Sequence, residues 1–287
     1  MVLAVAWPAI AAGFHGSRDS PGQSPPGERA GNSRAFLGFD SNEYPGDASL
    51  ENLKRTFSFS GYWLNDPPGA KSNEWAGKRE ALRAAGFGFL VLFNGRLERE
   101  LNPPADPSAI GAQDAQAAAN AATHEGFPPG TIIFLDQEEG GRMTARQMSY
   151  ILAWLDALAK TGYRAGIYCS GMPAREGKNQ FIVTANDIRA RAAPRQITFF
   201  VYDDACPPSP GCVYAQNPLS PAASGVPYAS VWQFAQSPRR HPFTTHCRST
   251  YAADGNCYPP AAAGIAASVR PLLDLDTATS HDPSQGR

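Results

Sequence analysis

The chain has 287 residues, of which 43% are hydrophobic and 10% aromatic, and it contains 25 basic and 26 acidic side chains. The resulting net charge of −1 gives no basic field for nucleic acid, and no run approaches the roughly 20 apolar residues that span a bilayer. The length suits one large domain, because single α/β barrels commonly reach about 250 residues.

The first 34 residues differ in composition from the rest of the chain. Residues 1–13 are apolar and end in small residues, as in the hydrophobic part of a secretion signal, but no positively charged segment precedes them. Residues 14–34 are rich in Pro, Gly and Ser and show no periodicity. We therefore expect residues 1–34 to be a flexible arm or a remnant signal peptide, residues 35–276 to fold, and residues 277–287 to form a tail.

Short apolar runs alternate with helical patterns from residue 35 onward. The runs are Phe36–Asp40, Phe57–Leu64, Phe87–Asn94, Thr131–Glu138, Arg164–Ser170, Ile197–Asp203, Ala229–Phe234 and Val269–Leu275, and the helical patterns are 75–85, 108–125, 144–160 and 184–193. Several runs are apolar on both faces, which is typical of parallel strands covered by helices. The order predicts a single (β/α)₈, TIM-barrel-like α/β domain with some helices irregular or missing. A doubly wound open sheet is the alternative, although no Gly-rich phosphate motif follows the first run.

The fourth run ends in acidic residues. Side chains alternate along a strand, so Asp136 and Glu138 share one face. Two carboxyl groups this close repel each other when ionised, so we expect Asp136 to raise the pKa of Glu138 and keep it protonated near neutral pH. Such a pair suits the cleavage of a glycosidic bond. A single salt bridge, for example to Arg142, is the simpler alternative.

Polar side chains also follow most of the other runs. They are Asp40, Asn94, Tyr168, Ser170, Asp203, Asp204, Trp232, Gln233, Asp274 and Asp276. In a barrel, functional groups lie at the carboxyl ends of the strands. We therefore expect an acid-lined mouth, with Trp63 instead in the core. Mg²⁺ or Ca²⁺ held by Asp40, Asp136 and Glu138 is an alternative use of these oxygens.

Five cysteines lie at positions 169, 206, 212, 247 and 257. Two pairs enclose short, turn-rich loops, so we predict Cys206–Cys212 and Cys247–Cys257 bridges, with Cys169 as a buried free thiol. A zinc site is the alternative, but none of the spacings matches a zinc knuckle. Disulfides would place the protein outside a reducing cytoplasm.

Several of these motifs occur in the order seen in the lysozyme-type barrel muramidases of glycoside hydrolase family 25. The motifs are Gly38-Phe-Asp40, Phe134-Leu-Asp136-Gln-Glu138, Gly166-Ile-Tyr168, Val231-Trp-Gln233 and Leu273-Asp-Leu-Asp276. The wider pattern resembles more closely a related glycoside hydrolase-like domain family of unknown function, through Gly77-Lys-Arg79, Gly126-Phe-Pro-Pro-Gly130 and Asp254-Gly-Asn-Cys257. The resemblance covers about residues 36–280. Glu139, with Gly140-Gly141, and the segment Val201-Tyr-Asp-Asp204 depart from the muramidase pattern.

The resemblance implies a site and an activity. Glu138 would be the general acid, with Asp136 and Asp40 as further catalytic carboxylates. The residues expected to bind substrate are Tyr168, Asp203, Trp232, Gln233 and Asp274. The expected protein is a secreted or extracytoplasmic, monomeric glycoside hydrolase acting on cell-wall or amino-sugar glycans, without a cofactor or a metal. A catalytically silent glycan-binding barrel is the alternative.

Overall fold

The computed structural model describes residues 35–104, 106–203, 218–236 and 273–287. The barrel strands are β1 (Phe36–Asp40), β2 (Phe59–Trp63), β3 (Gly88–Asn94), β4 (Ile132–Asp136), β5 (Arg164–Ser170), β8 (Thr198–Tyr202), β9 (Ala229–Ala235) and β10 (Asp274–Ala278). A separate hairpin consists of β6 (Pro173–Arg175) and β7 (Phe181–Val183). The helices are α1 (Leu50–Lys54), α2 (Arg79–Ala84), α3 (Pro107–His124), α4 (Ala145–Leu158) and α5 (Thr184–Ala192).

Eight of these strands close into a barrel. Their order is β1-β10-β9-β8-β5-β4-β3-β2, with β2 pairing back onto β1. Neighbouring strands are parallel except for β10, which is antiparallel to both β1 and β9. The predicted (β/α)₈-like fold with few helices is therefore confirmed. No helix among the described residues is both long and apolar enough to cross a membrane.

The eighth strand differs from its prediction. The expected run Val269–Leu275 gives way to Asp274–Ala278, and residues 269–272 lie outside the described part of the chain. Because β10 is antiparallel, its first residue lies at the same end of the barrel as the last residue of β1, and Asp274 pairs with Asp40. Asp274 thus reaches the mouth from the start of its strand and not, as the sequence suggested, from the end.

Aromatic rings fill the barrel interior where glycines leave room for them. A Cβ atom added to Gly38 would lie 2.2 Å from the Phe59 ring, and one added to Gly166 would lie 2.4 Å from the Phe134 ring. Phe134 meets Phe200 edge to face, with ring centroids 6.1 Å apart. This layer closes the barrel below the acids of β4, because Phe134 is two residues before Asp136 on the same strand face.

Helices α3 and α4 pack closely against each other outside the barrel. A Cβ atom at Gly111 of α3 would lie 2.3 Å from the carbonyl oxygen of Tyr150 in α4. Helix α4 begins with a capping box: the Thr144 side chain accepts from the Gln147 backbone N–H, and the Gln147 side chain accepts from the Thr144 backbone N–H. The close packing at Gly111 and the capping box together fix the position of α4, the helix that follows β4.

A buried carboxylate joins the loop after β3 to both of these helices. Asp114 of α3 accepts two hydrogen bonds from Arg96, at 2.8 and 2.9 Å, and a third at 3.0 Å from the hydroxyl of Tyr150. The Asp114 side chain is 9% exposed, whereas that of Arg96 is 43% exposed. Because water can reach the Arg96 guanidinium, most of the loss on removing Asp114 would come from the buried Tyr150 hydroxyl.

We expect Asp114→Ala to lower the free energy of unfolding by about 1–3 kcal/mol, because it leaves the buried Tyr150 hydroxyl without its acceptor. Asp156→Ala is a matched control, since Asp156 also accepts a two-pronged bond from an arginine, Arg195, but its side chain is 51% exposed. The control should change stability by less than about 1 kcal/mol. Urea denaturation of both variants measures the difference, and equal losses would contradict this account.

Residues 281–287 contact the barrel at the end opposite the mouth. The Val91 backbone N–H donates to the Ser284 hydroxyl oxygen, and the Ile132 backbone N–H donates to the Ser284 carbonyl oxygen, both at 2.8 Å. The Asp282 carboxylate accepts from the Phe89 backbone N–H at 2.8 Å. The segment expected to be a tail therefore supplies hydrogen bonds at the beginning of β3 and β4.

Candidate active site

Six of the eight residues predicted for the site line one pocket at the mouth of the barrel. They are Asp40, Asp136, Glu138, Tyr168, Gln233 and Asp274. The pocket has a volume of about 190 Å³. This is smaller than the roughly 300–1,000 Å³ of sites for drug-sized ligands, so it suits a small part of a larger molecule.

The structure does not bring Trp232 and Asp203 into this pocket. Trp232 precedes Gln233 in β9, so alternation turns its ring to the other side of the strand, where it packs against Phe234 with centroids 5.8 Å apart. The Trp232 ring nitrogen donates to the Asp203 carbonyl oxygen at 2.9 Å, and the ring is buried. The sequence placed Trp232 at the right strand end but on the wrong face.

Five further residues line the pocket that the sequence did not assign to it. They are Asn42, Trp63, Leu92, Phe200 and Gln236. Trp63 is buried in the core, as expected, and as the last residue of β2 it also lines the pocket, with its ring nitrogen donating to the Ser41 carbonyl oxygen at 3.0 Å. Its position at a strand end, the criterion applied to the acids, would have identified it.

A chain of hydrogen bonds joins three strands across the pocket. The Tyr168 hydroxyl donates to Gln233 Oε1 at 2.8 Å, and Gln233 Nε2 donates to Asp40 Oδ2 at 2.8 Å. Gln236 Nε2 also donates to Gln233 Oε1, at 3.0 Å. The chain fixes the orientation of the Gln233 amide, because its nitrogen faces a carboxylate and its oxygen faces donors. It holds Asp40 in place with a donor directed at its charge.

The two acids of β4 differ in their access to solvent. Asp136 is 4% exposed, and its Oδ1 has no hydrogen-bond partner among the described residues. Glu138 is exposed at the rim, although protein surrounds its carboxyl group closely enough to weaken its hydration. A substrate entering from solvent would therefore meet Glu138 before Asp136.

The pKa values of both carboxyl groups are raised. Burial is the main cause for Asp136, followed by the negative charges of Glu138 and Asp40. Burial is also the main cause for Glu138, and the charge of Asp40 comes second. The sequence predicted that Asp136 and partly apolar surroundings would together raise the pKa of Glu138. The fully buried Asp136 instead holds its proton more firmly and adds little negative charge beside Glu138.

Glu139 faces away from the pocket. Its Oε2 accepts from the Glu98 backbone N–H and from Gln147 Nε2, both at 2.7 Å. This side chain fastens the loop after β4 to the start of α4. Arg142 pairs with Glu176 and, at 3.2 Å, with Asp187. The simpler explanation of the β4 acids as a salt bridge to Arg142 is therefore wrong.

The alternatives of a metal site and the predicted state of the cysteines can be compared with the structure only over the described residues. Within the described ranges, no group of three His, Cys, Asp or Glu side chains is arranged to hold a metal ion. Cys169 is free and buried, as expected. The four cysteines of the predicted bridges, at positions 206, 212, 247 and 257, lie outside the described residues. The two disulfides stay predictions.

Comparison with known proteins links this site to one family. The family model described as "Rv2525c-like, glycoside hydrolase-like domain" matches residues 61–198, which include Asp136, Glu138 and Tyr168. No match was found among proteins with curated functions.

The fold is shared with several solved structures at low identity. An uncharacterized protein of B. stearothermophilus is 18% identical, with a TM-score of 0.52 over 85% of this chain and 95% of that one. The spore cortex lytic enzyme SleM of Clostridium perfringens is 13% identical, with a TM-score of 0.51 over 88% of this chain and 69% of that one. The Tat-secreted protein Rv2525c of Mycobacterium tuberculosis is 12% identical, with a TM-score of 0.49 over 86% and 95%. The resemblance predicted from the sequence is thus confirmed: over residues 61–198 the chain matches the Rv2525c-like, glycoside hydrolase-like domain family.

Proposed function

We propose that this protein is an extracytoplasmic glycoside hydrolase that cleaves cell-wall or other amino-sugar glycans, with Glu138 as its general acid. Glycoside cleavage needs one carboxylic acid to protonate the leaving oxygen and a second group to stabilise or attack the oxocarbenium-like centre. The observation that carries the proposal is the meeting of Asp40, Asp136 and Glu138 in one pocket, with the pKa of both β4 acids raised.

Glu138 is a better general acid than Asp136 because of its position. A general acid must come within hydrogen-bond reach of the oxygen that it protonates. Glu138 stands at the rim and has the longer side chain, whereas Asp136 is almost wholly enclosed. The raised pKa of Glu138 keeps the proton available at a pH where an ordinary glutamate has lost it.

Asp40 suits the second role in the reaction, that of the ionised carboxylate. The hydrogen bond from Gln233 Nε2 favours the ionised form of Asp40, because it is donated to the charge. An ionised carboxylate in the pocket would stabilise the positive charge that develops on the sugar ring. Asp136 would support both groups from beneath, and Tyr168, Gln233 and Asp274 would contact the substrate.

The substrate class and location follow from fold-level analogy. SleM, a spore cortex lytic enzyme, shares the barrel fold, and the matched family is glycoside hydrolase-like. Both support a cell-wall glycan encountered outside the cytoplasm, and the predicted disulfides would agree with that location. We expect the protein to be a monomer. We also expect it to work without a cofactor, because the residue types of the pocket already provide the acid and the carboxylate.

Digestion of a panel of glycans tests the proposal. The purified protein should release new reducing ends from at least one of peptidoglycan, chitin and a set of plant or fungal glycans. A sedimentation assay on the same polymers measures retention separately from cleavage. Retention on a glycan without new reducing ends would favour the silent binding barrel, and neither retention nor cleavage would contradict both functions.

The pH profile of cleavage should depend on Asp40 more than on Asp136. Activity requires the protonated form of Glu138, so it falls as the pH rises through the pKa of that group. Removing the charge of Asp40 should lower this pKa, so Asp40→Asn should move the alkaline limb of kcat/KM to lower pH. Asp136→Asn replaces a group that already holds its proton, so it should move the limb less. The reverse order of the two shifts would contradict the electrostatic account of this pocket.

A further inference from the structure

We propose that Asp276, a buried residue beneath the pocket, is a positioning residue that carries a proton and donates it in a hydrogen bond to Asp40, holding Asp40 ionised and oriented. Asp276 lies outside the pocket lining, so it does not touch substrate. The link to catalysis rests on the proposed function of Asp40, whereas the protonation of Asp276 does not.

The position of Asp276 isolates it from water. It lies on β10, where its register partners are Gly38 on β1 and Gln233 on β9, and its exposed fraction is 0%. Gly38 contributes no side chain, and the Phe59 ring fills the space beside it. An ionised carboxylate in such a place is strongly disfavoured unless donors surround it.

The surroundings of the Asp276 carboxyl group favour its protonated form. Among the described residues, no N–H or O–H group reaches either of its carboxyl oxygens. The carboxyl group of Asp40, two residues beyond the register partner Gly38 on β1, lies within hydrogen-bonding reach of Asp276. Two ionised carboxylates have no proton between them and cannot form such a bond. One of the two groups must therefore be a carboxylic acid.

The proton belongs on Asp276 and not on Asp40. Asp40 accepts a hydrogen bond from Gln233 Nε2 at 2.8 Å, which stabilises its charge, whereas Asp276 receives no such donor. Within the described residues, the charged groups that face Asp276 are Asp40 on β1 and Asp274 on its own strand, and both are acidic. Burial and these two charges raise the pKa of Asp276 well above its usual value.

The arrangement gives Asp40 two donors from two strands. Gln233 on β9 approaches one side of the carboxylate and Asp276 on β10 supplies the other bond. An O–H···O⁻ bond is among the stronger hydrogen bonds in proteins and fixes the orientation of its acceptor. A neutral Asp276 also limits the negative charge of a pocket that already contains Asp40, Asp136, Glu138 and Asp274.

The protonation state can be tested without any substrate, through the stability of the protein as a function of pH. A buried acid with a raised pKa holds its proton when folded and releases it when unfolded, so its contribution to stability is lost as the pH rises above the unfolded value of about 3.9. The folding equilibrium constant of the wild type, divided by that of Asp276→Asn, should therefore fall by up to about tenfold per pH unit between roughly pH 4 and 7. The neutral Asp276→Ser variant replaces Asn if that variant does not fold. A ratio that stays constant or rises with pH overturns the assignment.

Activity on a cleaved glycan then tests the effect on Asp40. Asp276→Asn keeps an N–H donor beside Asp40, so the acid limb of kcat/KM should stay near its wild-type position. Asp276→Ala removes the donor, which raises the pKa of Asp40 and should move the acid limb to higher pH by on the order of one unit. If the acid limb of kcat/KM lies at the same pH in both variants, Asp276 has a purely structural role, and the positioning role is overturned. If no glycan is cleaved, the proposed function fails, whereas the stability ratio still decides the protonation of Asp276.

Discussion

Replacing Glu138 with Gln should lower turnover by about 10²–10⁴-fold while leaving glycan binding intact. Glutamine has the shape of a protonated glutamate but has no acidic proton to give to the leaving oxygen. The loss should be largest for natural linkages, whose sugar leaving groups need protonation. It should be much smaller for aryl glycosides with acidic phenol leaving groups, which depart without help. Initial rates on both substrate types, measured beside a binding isotherm, give the comparison.

Glu139→Gln is the matched control for this variant. Glu139 is the next residue, has the same chemistry and faces α4, where its Oε2 accepts from the Glu98 backbone N–H and from Gln147. The oxygen of a glutamine side chain can accept the same two bonds, so activity should change little. An inactive Glu139 variant beside an active Glu138 variant would mean that the face assignment of β4 is wrong by one residue.

A large loss of stability should come from filling the space beside Phe134. In Gly166→Ala the added Cβ atom would lie 2.4 Å from the Phe134 ring, far inside normal contact. Overpacking of this kind typically costs about 1–3 kcal/mol, because the ring or the strand must move. We expect the denaturation midpoint in urea to fall accordingly. Gly177→Ala is the control, since its Cβ atom would first meet Gln180 at 3.6 Å, an ordinary contact.

A compensating substitution shows whether the ring is the cause. Phe134→Leu shortens the side chain that the Gly166→Ala methyl group would strike, so the double variant should recover part of the stability lost by Gly166→Ala. Phe134 lies two residues before Asp136 on the same face of β4. A shift of the Phe134 ring in Gly166→Ala should therefore also displace Asp136 and reduce activity. Full stability of Gly166→Ala would mean that the Phe134 ring does not fill this position.

The fold could be predicted from the sequence because most of its strands are apolar on both faces. Runs such as Phe87–Asn94 stand out between turn residues, and β3 occupies nearly the same range, Gly88–Asn94. Strand β10 lacks this signal, since Asp274 and Asp276 turn acidic groups into the barrel between apolar neighbours. The predicted run Val269–Leu275 was the weakest of the eight, because Pro271 interrupts it, and among the described residues it shares only Asp274 and Leu275 with β10.

The site could be predicted where one strand carries its own signal. Asp136 and Glu138 follow from strict alternation along β4, and Asp40 follows from its place at the end of β1. Trp63 could have been found by the same criterion, because it ends β2, whereas Gln236 needed the register between strands, which a single sequence does not contain. The role proposed for Asp276 depends on the absence of donors to it among the described residues, and that depends on the pairing of β10 with β1 and β9.

The release of reducing ends from a glycan, measured for the wild type and for Glu138→Gln side by side, tests the central claim most directly. Both proteins are first shown to bind the chosen polymer equally, so that only the chemical step differs between them. The wild type should release reducing ends steadily, and the variant should release them about 10²–10⁴-fold more slowly. Equal release by the two proteins would contradict Glu138 as the general acid, and no release by the wild type on any glycan that it binds would contradict a glycosidase.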